Sequence, residues 1–351
     1  MAVYDIYGNL LAAGTGGSSD TNCKIIAHRG YHAVAAQNTI AAFKAAADAG
    51  FSWIEIDTRK TADGIYVMSH DASVTLYNNG TAVSVNIENS NYSNIKNYTW
   101  DSEGKYRLCT LQAVFNSMKV YDMMMNIDLK SGANTEVMNI ASMCGAVDRV
   151  MLTYTSFANA LADVELLKKY DNVPIRVWSN VNGYSNYLLL IGQISNPIYS
   201  DVNASGDMGT SLTTALACGT PVLFSGCTTA NYARWSVLAS GCMANLNLNI
   251  TYDEFLNLLS VDYDHPTTIT PSVQSVSVAV GDTATVTASS DYSQAGGYVY
   301  GYTIDPRIAS VTQSAYGQNA SFTITGVASG NTTLRLFTGC GAIVNIPVTV
   351  A

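Results

Sequence analysis

Short apolar runs alternate with amphipathic segments along most of the chain. Between residues 23 and 261 this alternation covers about 240 residues, the usual size of an eight-stranded α/β barrel. The predicted strands are residues 25–27, 51–56, 65–68, 123–129, 149–154, 174–178, 221–225 and 242–248. A further apolar run at residues 197–202 competes for a place among them.

One helix and one long polar segment stand out between the early strands. The helix is predicted over residues 40–49, with Asn38 or Thr39 as its N-cap and Gly50 at its end. Residues 71–108 are rich in Asn, Ser and Tyr and are predicted to form a long loop. Loops of that length are usually functional, so we expect this one to border the mouth of the barrel.

Near residue 262 the pattern changes from mixed helix and strand to strand alone. The segment 262–272, which contains His265, is predicted to be a solvated linker. The β-type segments that follow are residues 273–280, 283–288, 299–304, 321–324, 332–337 and 343–350. Short strands separated by Gly–Asp, Gly–Gly and Ser–Gly turns indicate a small β-sandwich.

These patterns predict three regions in the chain. They are an N-terminal arm and linker at residues 1–21, a barrel domain at 22–262 and a β-sandwich domain at 273–351. The first residues lack the basic region of a signal peptide. No apolar run approaches the length of about eighteen residues that a membrane-spanning helix needs.

Composition excludes some classes of function. The 351 residues are 48% hydrophobic but only 12% charged, with a net charge of −9 and no basic cluster, so nucleic acid is not an expected partner. The seven cysteines are dispersed without CxxC spacing, which predicts neither a disulfide framework nor a zinc site. Two pairings stay open, Cys218 with Cys227 and Cys227 with Cys242.

Polar residues occur where the early apolar runs end. His28 and Arg29 follow the first run, Glu55 and Asp57 lie on one face of the second, and His70 follows the third. The carboxyl ends of parallel strands are where α/β folds gather their chemistry. Because Glu55 is surrounded in sequence by large apolar residues, we expect it to have a cationic partner.

An ordered set of motifs then suggests a family. AHRG (27–30), NT (38–39), ExD (55–57), TADG (61–64) and HD (70–71) resemble the glycerophosphodiester phosphodiesterase family, whose members are TIM barrels. The resemblance continues through LCTLQAVF, NIDLK and TSFANAL, and covers residues 23–161. In the last region, SVSVAVGDTATVTA, PRIASV and ITGVASGNTTLRL resemble bacterial immunoglobulin-like domains. The expected fold is therefore α/β, a (β/α)8 TIM barrel followed by a small all-β immunoglobulin-like sandwich.

The resemblance implies a metal site. It points to Glu55, Asp57 and Asp128 as ligands, and an all-carboxylate set favours a hard divalent cation, Mg²⁺ or Ca²⁺. The family normally has Glu at the position of Asp128, so the metal is expected to sit differently or to bind more weakly. The alternative for Asp128 is a simple ion pair with Lys130.

The resemblance also implies substrate-binding and catalytic residues. Arg29 and Lys130 would hold the phosphate, and His28 and His70 would serve as the acid and base pair, in either order. The nucleophile is water or a neighbouring hydroxyl of the glycerol. Gln37 stands where the family has Glu, which is expected to alter the tuning of His28.

Two further residues near these motifs have lesser expected roles. His32 is interpreted as a loop residue at the mouth, and Asp71 as a residue that orients a neighbour.

The expected function is metal-dependent hydrolysis of glycerophosphodiesters. A cell-envelope glycerol-phosphate polymer such as teichoic acid, attacked by a phage tail or secreted enzyme, extends this expectation. That protein would be extracellular, at a cell surface or virion-associated, and would contact the surface through its C-terminal domain. The alternative is a catalytically impaired barrel that acts as a surface-polymer binding or adhesion module.

Overall fold

The computed structural model describes residues 3–4, 10–12, 24–179, 183–203, 209–227, 239–244 and 265–351. The first two strands, β1 (Val3–Tyr4) and β2 (Leu10–Ala12), pair with each other in antiparallel orientation. The rest of the predicted N-terminal arm lies outside the described residues. Within the described part of the chain, no helix is long and apolar enough to cross a membrane.

Strands and helices then alternate up to residue 244. The strands are β3 (Lys24–Ala27), β4 (Trp53–Lys60), β5 (Tyr66–Met68), β6 (Ser73–Asn78), β7 (Thr81–Asn86), β8 (Met124–Leu129), β9 (Val150–Tyr154), β10 (Ile175–Trp178), β11 (Ile198–Asn203), β12 (Val222–Cys227) and β13 (Ala239–Ala244). The helices are α1 (Ile40–Asp48), α2 (Tyr92–Ile95), α3 (Leu111–Met118), α4 (Asn134–Cys144), α5 (Phe157–Ala162), α6 (Val164–Lys169), α7 (Gly183–Ile191) and α8 (Gly209–Cys218). A short 3₁₀ helix at Val147–Arg149 precedes β9.

Eight of these strands form a closed barrel. They pair in parallel in the order β3, β13, β12, β11, β10, β9, β8, β4, and β3 also pairs with β4. The predicted barrel is therefore confirmed. The competing run at residues 197–202 is a barrel strand, β11, which lies between β10 and β12. The predicted strand at 242–248 is shifted to β13, and residues 245–248 lie outside the described part of the chain.

The prediction that residues 65–68 form the third parallel strand of the barrel is wrong. β5 runs antiparallel to β4, with Thr58 opposite Met68 and Lys60 opposite Tyr66, so it is the return arm of a hairpin. Apolar periodicity identifies a strand but does not reveal its direction, which is why the sequence did not show this. The end of β5 consequently returns to the level of the middle of β4.

Helix α1 follows the prediction closely. Thr39 is its N-cap, since its Oγ1 accepts a hydrogen bond from the backbone N–H of Ala42 at 3.2 Å. The helix ends at Asp48, and Gly50 follows with a φ of 94°. The helix thereby packs its buried face against the barrel core.

Residues 71–108, which were predicted to be a loop, contain a folded unit. β6 and β7 form a hairpin whose turn, Asn79–Gly80, has positive φ angles of 49° and 80°. The hairpin and α2 enclose a small core of their own, formed by Val67, Leu76, Val85, Ile87, Ile95 and Leu108. The Asn–Gly pair between alternating apolar residues was the sequence signal for this hairpin.

The C-terminal region is all-β. Its strands are β14 (Ile269–Pro271), β15 (Val276–Val278), β16 (Thr283–Ser290), β17 (Tyr300–Thr303), β18 (Ala309–Ala315), β19 (Asn319–Gly326), β20 (Gly330–Phe337) and β21 (Ile343–Val350). They form two four-stranded sheets, β14-β16-β19-β18 and β15-β21-β20-β17, which share one apolar core. This arrangement is consistent with an immunoglobulin-like domain.

Two details near the start of this region differ from the predicted linker. β14 precedes residue 273 and already pairs with β16. His265 is not a free solvated side chain, because its ring stacks on Tyr292 with the ring centroids 3.8 Å apart. The domain boundaries themselves stay predictions.

Among the cysteines whose side chains the structure describes, four carry free thiols, namely Cys109, Cys144, Cys218 and Cys340. The candidate pairing of Cys218 with Cys227 is therefore not formed. The side chains of Cys227 and Cys242 lie outside the described part of the structure.

The two regions share a packed interface. α8 contacts β17 and β18, and Thr213 of α8 donates a hydrogen bond to the carbonyl of Val311 at 2.6 Å. Tyr300 of β17 is fully buried and belongs to the same apolar cluster as the barrel core. The C-terminal sheets are therefore packed against the barrel wall.

We predict that Tyr300→Ala destabilises the barrel itself, by about 3–5 kcal/mol, because it opens a cavity in the shared core. All four tryptophans precede residue 265, so tryptophan fluorescence during denaturant unfolding reports on the barrel region. Tyr302→Ala, at a half-buried position of the same strand, is the matched control and should cost less than half as much. If Tyr300→Ala leaves the denaturant midpoint of the fluorescence transition unchanged, the two regions do not share a core.

Candidate active site

Three carboxylates meet inside the barrel. Residues 55 and 57 alternate inward along β4, and Asp57 pairs in register with Asp128 of the adjacent strand β8. Glu55, Asp57 and Asp128 each offer an oxygen within 4.8 Å of the others. The structure therefore brings together the three residues that were predicted from sequence to form a metal site.

These carboxylates lie directly above an apolar plug. Ile26, Trp53, Met151 and Leu223 form a buried cluster that fills the interior of the barrel. Glu55 and Asp57 are each only 1% exposed, whereas the Asp128 side chain is 16% exposed. The cluster consequently extends from the buried interior toward the open mouth.

Two cationic side chains contact the carboxylate cluster. Lys130 Nζ lies 3.2 Å from Asp57 Oδ1 and 2.9 Å from Asp128 Oδ2, so the ion pair considered for Asp128 exists within the cluster. Arg29 Nε lies 3.0 Å from Asp57 Oδ2. Arg29 Nη1 also donates to Gln37 Oε1 at 3.1 Å. The hydrogen bond found for Gln37 is thus with Arg29, whereas its predicted influence was on His28.

The turn after β3 places His28 and Arg29 at the mouth. Arg29 and Gly30 have φ angles of 58° and 81°, and the backbone N–H of Arg29 donates to Glu55 Oε2 at 3.0 Å. A Cβ atom at position 30 would lie 2.7 Å from the carbonyl carbon of Ala42, so only glycine fits against α1. His28 Nε2 is then 3.9 Å from Glu55 Oε2.

Asn38 is a site residue that was predicted from sequence only as a possible helix cap. It is buried, with a φ of 56°, and its Nδ2 donates to Asp57 Oδ2 at 2.8 Å. Its Oδ1 accepts a hydrogen bond from the backbone N–H of Asp57 at 3.2 Å. Asn38 therefore holds both the main chain and the side chain of Asp57.

His70 reaches the mouth through the β4–β5 hairpin. The backbone N–H of Ser69 donates to the Asp57 carbonyl at 3.2 Å, and Arg59 Nε donates to the His70 carbonyl at 2.9 Å. His70 Nδ1 lies 2.8 Å from Asp71 Oδ1, so His70 is the neighbour that Asp71 orients. His32, by contrast, lies in the turn after β3 and is half-buried.

The pKa values follow from burial and from these charges. Burial and the nearby charges of Asp57 and Asp128 raise the pKa of Glu55 well above its usual value. Burial would also raise the pKa of Asp57, but Lys130 and Arg29 outweigh it, so that pKa is lowered. Burial, followed by the charge of Arg29, lowers the pKa of His28 from 6.5 to about 3. His28 is therefore neutral near pH 7.

A second charged pair inside the barrel was not predicted from sequence. Arg176 of β10 donates from Nε and Nη2 to Asp201 Oδ2 of β11, at 3.0 and 2.5 Å. Both side chains are buried. The available signal was a single charged residue between apolar neighbours in a barrel strand, the same signal that identified Glu55.

The fold and the site together define a class of protein. It is a (β/α)8 barrel with an acidic cluster at the carboxyl ends of its strands, beside one imidazole and two cations, and a hairpin brings a second histidine to the same end.

Comparison with known families agrees with this class. The profile of the Glycerophosphoryl diester phosphodiesterase family matches residues 28–173. The matched residues, less than half of the chain, are therefore similar to this family. All seven candidate site residues, from His28 to Lys130, lie within the matched region.

Named relatives match part of the chain. A glycerophosphodiester phosphodiesterase of Caldanaerobacter subterraneus is 36% identical over 115 residues, which are 31% of this chain and 45% of that protein. The mouse protein named Lysophospholipase D GDPD1 is 29% identical over 161 residues, which are 43% of this chain and 50% of that protein. The chain thus spans about half the length of these relatives.

Solved structures confirm the fold. The glycerophosphodiester phosphodiesterase from Agrobacterium tumefaciens aligns with a TM-score of 0.50 at 17% identity, covering 68% of this chain and 99% of that one. The enzyme of the same name from Parabacteroides distasonis aligns with a TM-score of 0.50 at 18% identity, covering 68% and 97%. At such identities the likeness concerns the fold alone.

We predict that Gly30→Ala is far more destabilising than Gly145→Ala. Both glycines have a positive φ, but only at Gly30 would the added methyl group overlap neighbouring atoms. Gly145 also has a positive φ, of 65°, and a Cβ atom added there would meet nothing within 4 Å. Gly145→Ala should cost about 1–2 kcal/mol, and Gly30→Ala a further ~1–3 kcal/mol from overlap with α1. Urea unfolding measures both, and equal losses would argue against the close approach.

We predict that half-buried, neutral His28 makes stability depend on pH. Its pKa in the folded protein, about 3, lies below the unfolded value of 6.5, so the unfolded state takes up the proton first as pH falls. The contribution of His28 is present above pH 6.5 and is lost as pH falls toward 3. Unfolding free energies of the wild type and His28→Gln, measured with chelator, should therefore diverge over this range. Parallel curves would show that the pKa of His28 is not lowered in the folded protein.

Proposed function

We propose that this chain is a metal-dependent phosphodiesterase that hydrolyses glycerophosphodiesters to glycerol phosphate and an alcohol. The observation that carries the proposal is the convergence of Glu55, Asp57 and Asp128 within 4.8 Å. His28 and Lys130 lie beside the same cluster. The family domain and the names of the relatives support this substrate class.

The residues present fit a hard divalent cation. The three ligands are carboxylates, which suit Mg²⁺ or Ca²⁺ rather than a softer metal. Asp57 Oδ1 is buried without a hydrogen-bond partner among the described residues, and its neighbour is the ammonium group of Lys130. When bound, the cation would supply positive charge beside the phosphoryl oxygens. Lys130, now held by two of the carboxylates, would then be free to donate to the substrate.

The side chains of the site divide the proton transfers between them. His28, whose Nε2 lies 3.9 Å from Glu55 Oε2 beside the cluster, would be the base that accepts the proton of the attacking hydroxyl. Asp71 accepts a hydrogen bond from His70 Nδ1, and in its protonated form His70 also carries a proton on Nε2, which it would give to the oxygen of the departing alcohol. Arg29, fixed by Gln37 and by Asp57, would hold the phosphoryl oxygens together with Lys130.

The nucleophile is either water or the neighbouring hydroxyl of the glycerol. Attack by that hydroxyl gives a cyclic glycerol phosphate and places no oxygen from water on phosphorus in the first step. Product analysis by phosphorus NMR in ¹⁸O-labelled water distinguishes the two routes.

We extend the proposal to a glycerol-phosphate polymer such as teichoic acid, acted on by an extracellular, cell-surface or virion-associated enzyme. The low proportion of charged residues, 12%, and the immunoglobulin-like character of the C-terminal sheets support this extension. Those sheets pack against α8, so any surface contact that they make would lie beside the barrel. The polymer and glycerophosphocholine should therefore be tested side by side.

We predict that chelator-treated protein releases glycerol phosphate from a glycerophosphodiester only after Mg²⁺ or Ca²⁺ is restored. His28→Ala and His70→Ala should each lower kcat by about 10²–10⁴-fold, the usual contribution of one proton transfer. His265→Ala is the matched control, because this histidine stacks on Tyr292 in the C-terminal region and should leave kcat unchanged.

The alternative function, a binding or adhesion module, gives a different result in the same experiment. It predicts retention of the polymer without release of glycerol phosphate, and retention unaffected by His70→Ala. Absence of turnover on both substrates with either cation would count against the phosphodiesterase.

A further inference from the structure

The buried pair Arg176–Asp201 has no role in the mechanism above. The Arg176 and Asp201 side chains are 2% and 1% exposed, and removing two charges from water is costly unless their interactions offset that cost. Asp201 Oδ2 accepts hydrogen bonds from Nε and Nη2 of Arg176. The third nitrogen of the guanidinium, Nη1, is buried without a hydrogen-bond partner among the described residues. A fixed positive charge with one free donor is therefore held inside the barrel.

Arg176 faces the same interior as the carboxylate cluster. Its strand neighbours Ile175 and Val177 belong to the core between the sheet and the helices, so Arg176 alternates to the inside. It pairs in register with Thr153 of β9, whose Oγ1 donates to Asn126 Oδ1 of β8 at 2.8 Å. Asn126 in turn pairs with Glu55 of β4. A continuous polar layer thus links the guanidinium to the carboxylates.

Arg176 interacts electrostatically with the carboxylate cluster. Burial would lower the pKa of Arg176, but the negative charges of Asp201 and Asp128 outweigh burial and raise it, so the guanidinium stays charged. In the opposite direction, the positive charge of Arg176 counteracts the effect of burial on the pKa of Glu55.

The inward-facing charges can be counted. Among the described residues, the carboxylates are Glu55, Asp57, Asp128 and Asp201, and the cations are Arg29, Lys130 and Arg176. With all of them ionised, the site carries one net negative charge. One divalent cation converts this to one net positive charge, which a phosphodiester monoanion then neutralises. Without Arg176, the cation alone would neutralise the site and leave no excess charge for the phosphate.

We propose that Arg176, oriented by Asp201, is a positioning residue that sets the charge of the site so that one bound divalent cation leaves a net positive charge for the phosphate. The inference rests on the proposed function, because it assigns the cation and the phosphate to the same mouth. It gives Arg176 no contact with the reacting atoms.

Calorimetric titration of the full chain with Ca²⁺ tests the proposal. Arg176→Gln makes the site more negative and should tighten Ca²⁺ binding by about tenfold, whereas Asp201→Asn makes it less negative and should weaken binding by a similar factor. Arg176→Lys keeps the charge and should stay near the wild type. Glycerol phosphate should bind the Ca²⁺-loaded Arg176→Gln protein about tenfold more weakly than it binds the loaded wild type.

The double variant Arg176→Gln/Asp201→Asn is included because Arg176→Gln alone leaves a buried, unpaired carboxylate. It keeps the net charge and replaces the ion pair by two amides, so its Ca²⁺ affinity should return to near the wild-type value. If Arg176→Gln does not fold, Asp201→Asn and the double variant still decide the question.

Opposite shifts for Arg176→Gln and Asp201→Asn support the proposal, and shifts in the same direction overturn it in favour of a purely structural pair. A wild-type protein that binds no Ca²⁺ also overturns it. Opposite shifts without hydrolysis of any glycerophosphodiester would leave this inference standing and remove the proposed function. Hydrolysis without opposite shifts would do the reverse.

Discussion

The burial of three carboxylates at one point inside a barrel is the constraint on which the rest of the site depends. Each unpaired buried charge would be costly, so every element around the cluster supplies a donor or a cation. β3 ends in a turn whose backbone N–H reaches Glu55, α1 begins beside Asn38, which holds Asp57, and β8 is followed by Lys130. The local conformations near the mouth follow from this requirement, including the positive φ angles of Arg29 and Asn38.

The hairpin formed by β4 and β5 determines where His70 lies relative to the carboxylates. A parallel barrel strand carries its last residues to the mouth, but the next parallel strand can follow only after a helix. Here β4 extends beyond the mouth and β5 returns antiparallel, so that His70 arrives beside the middle of β4 and not at a distant strand end. Strand β4 thereby carries Glu55 and Asp57, and its antiparallel partner β5 is followed by His70 near the same end of the barrel.

The parts of this site that could be predicted from sequence are those that one strand determines by itself. The spacing of Glu55 and Asp57 requires only the two-residue period of a strand, whereas Asp128, on the neighbouring strand β8, was identified through the family resemblance. Asn38 was missed because its partner lies nineteen residues away, and a cap residue has the same appearance in sequence. The direction of β5 and the pairing of Arg176 with Asp201 depend on which strands are neighbours. A pattern along the chain contains no such information.

The C-terminal sheets pack against the part of the barrel that holds the ion pair between Arg176 and Asp201. α8 connects β11, which carries Asp201, to β12, which carries Ser225, a hydrogen-bond partner of Asp201. The outer side of α8 is covered by β17 and β18, and Thr213 is bonded directly to Val311. A region whose sequence is typical of a spacer or an adhesion domain therefore supports the part of the wall that holds the buried ion pair. Any role of these sheets in surface contact is added to this structural one, because the interface with α8 and the core around Tyr300 join the two regions in a single packed body.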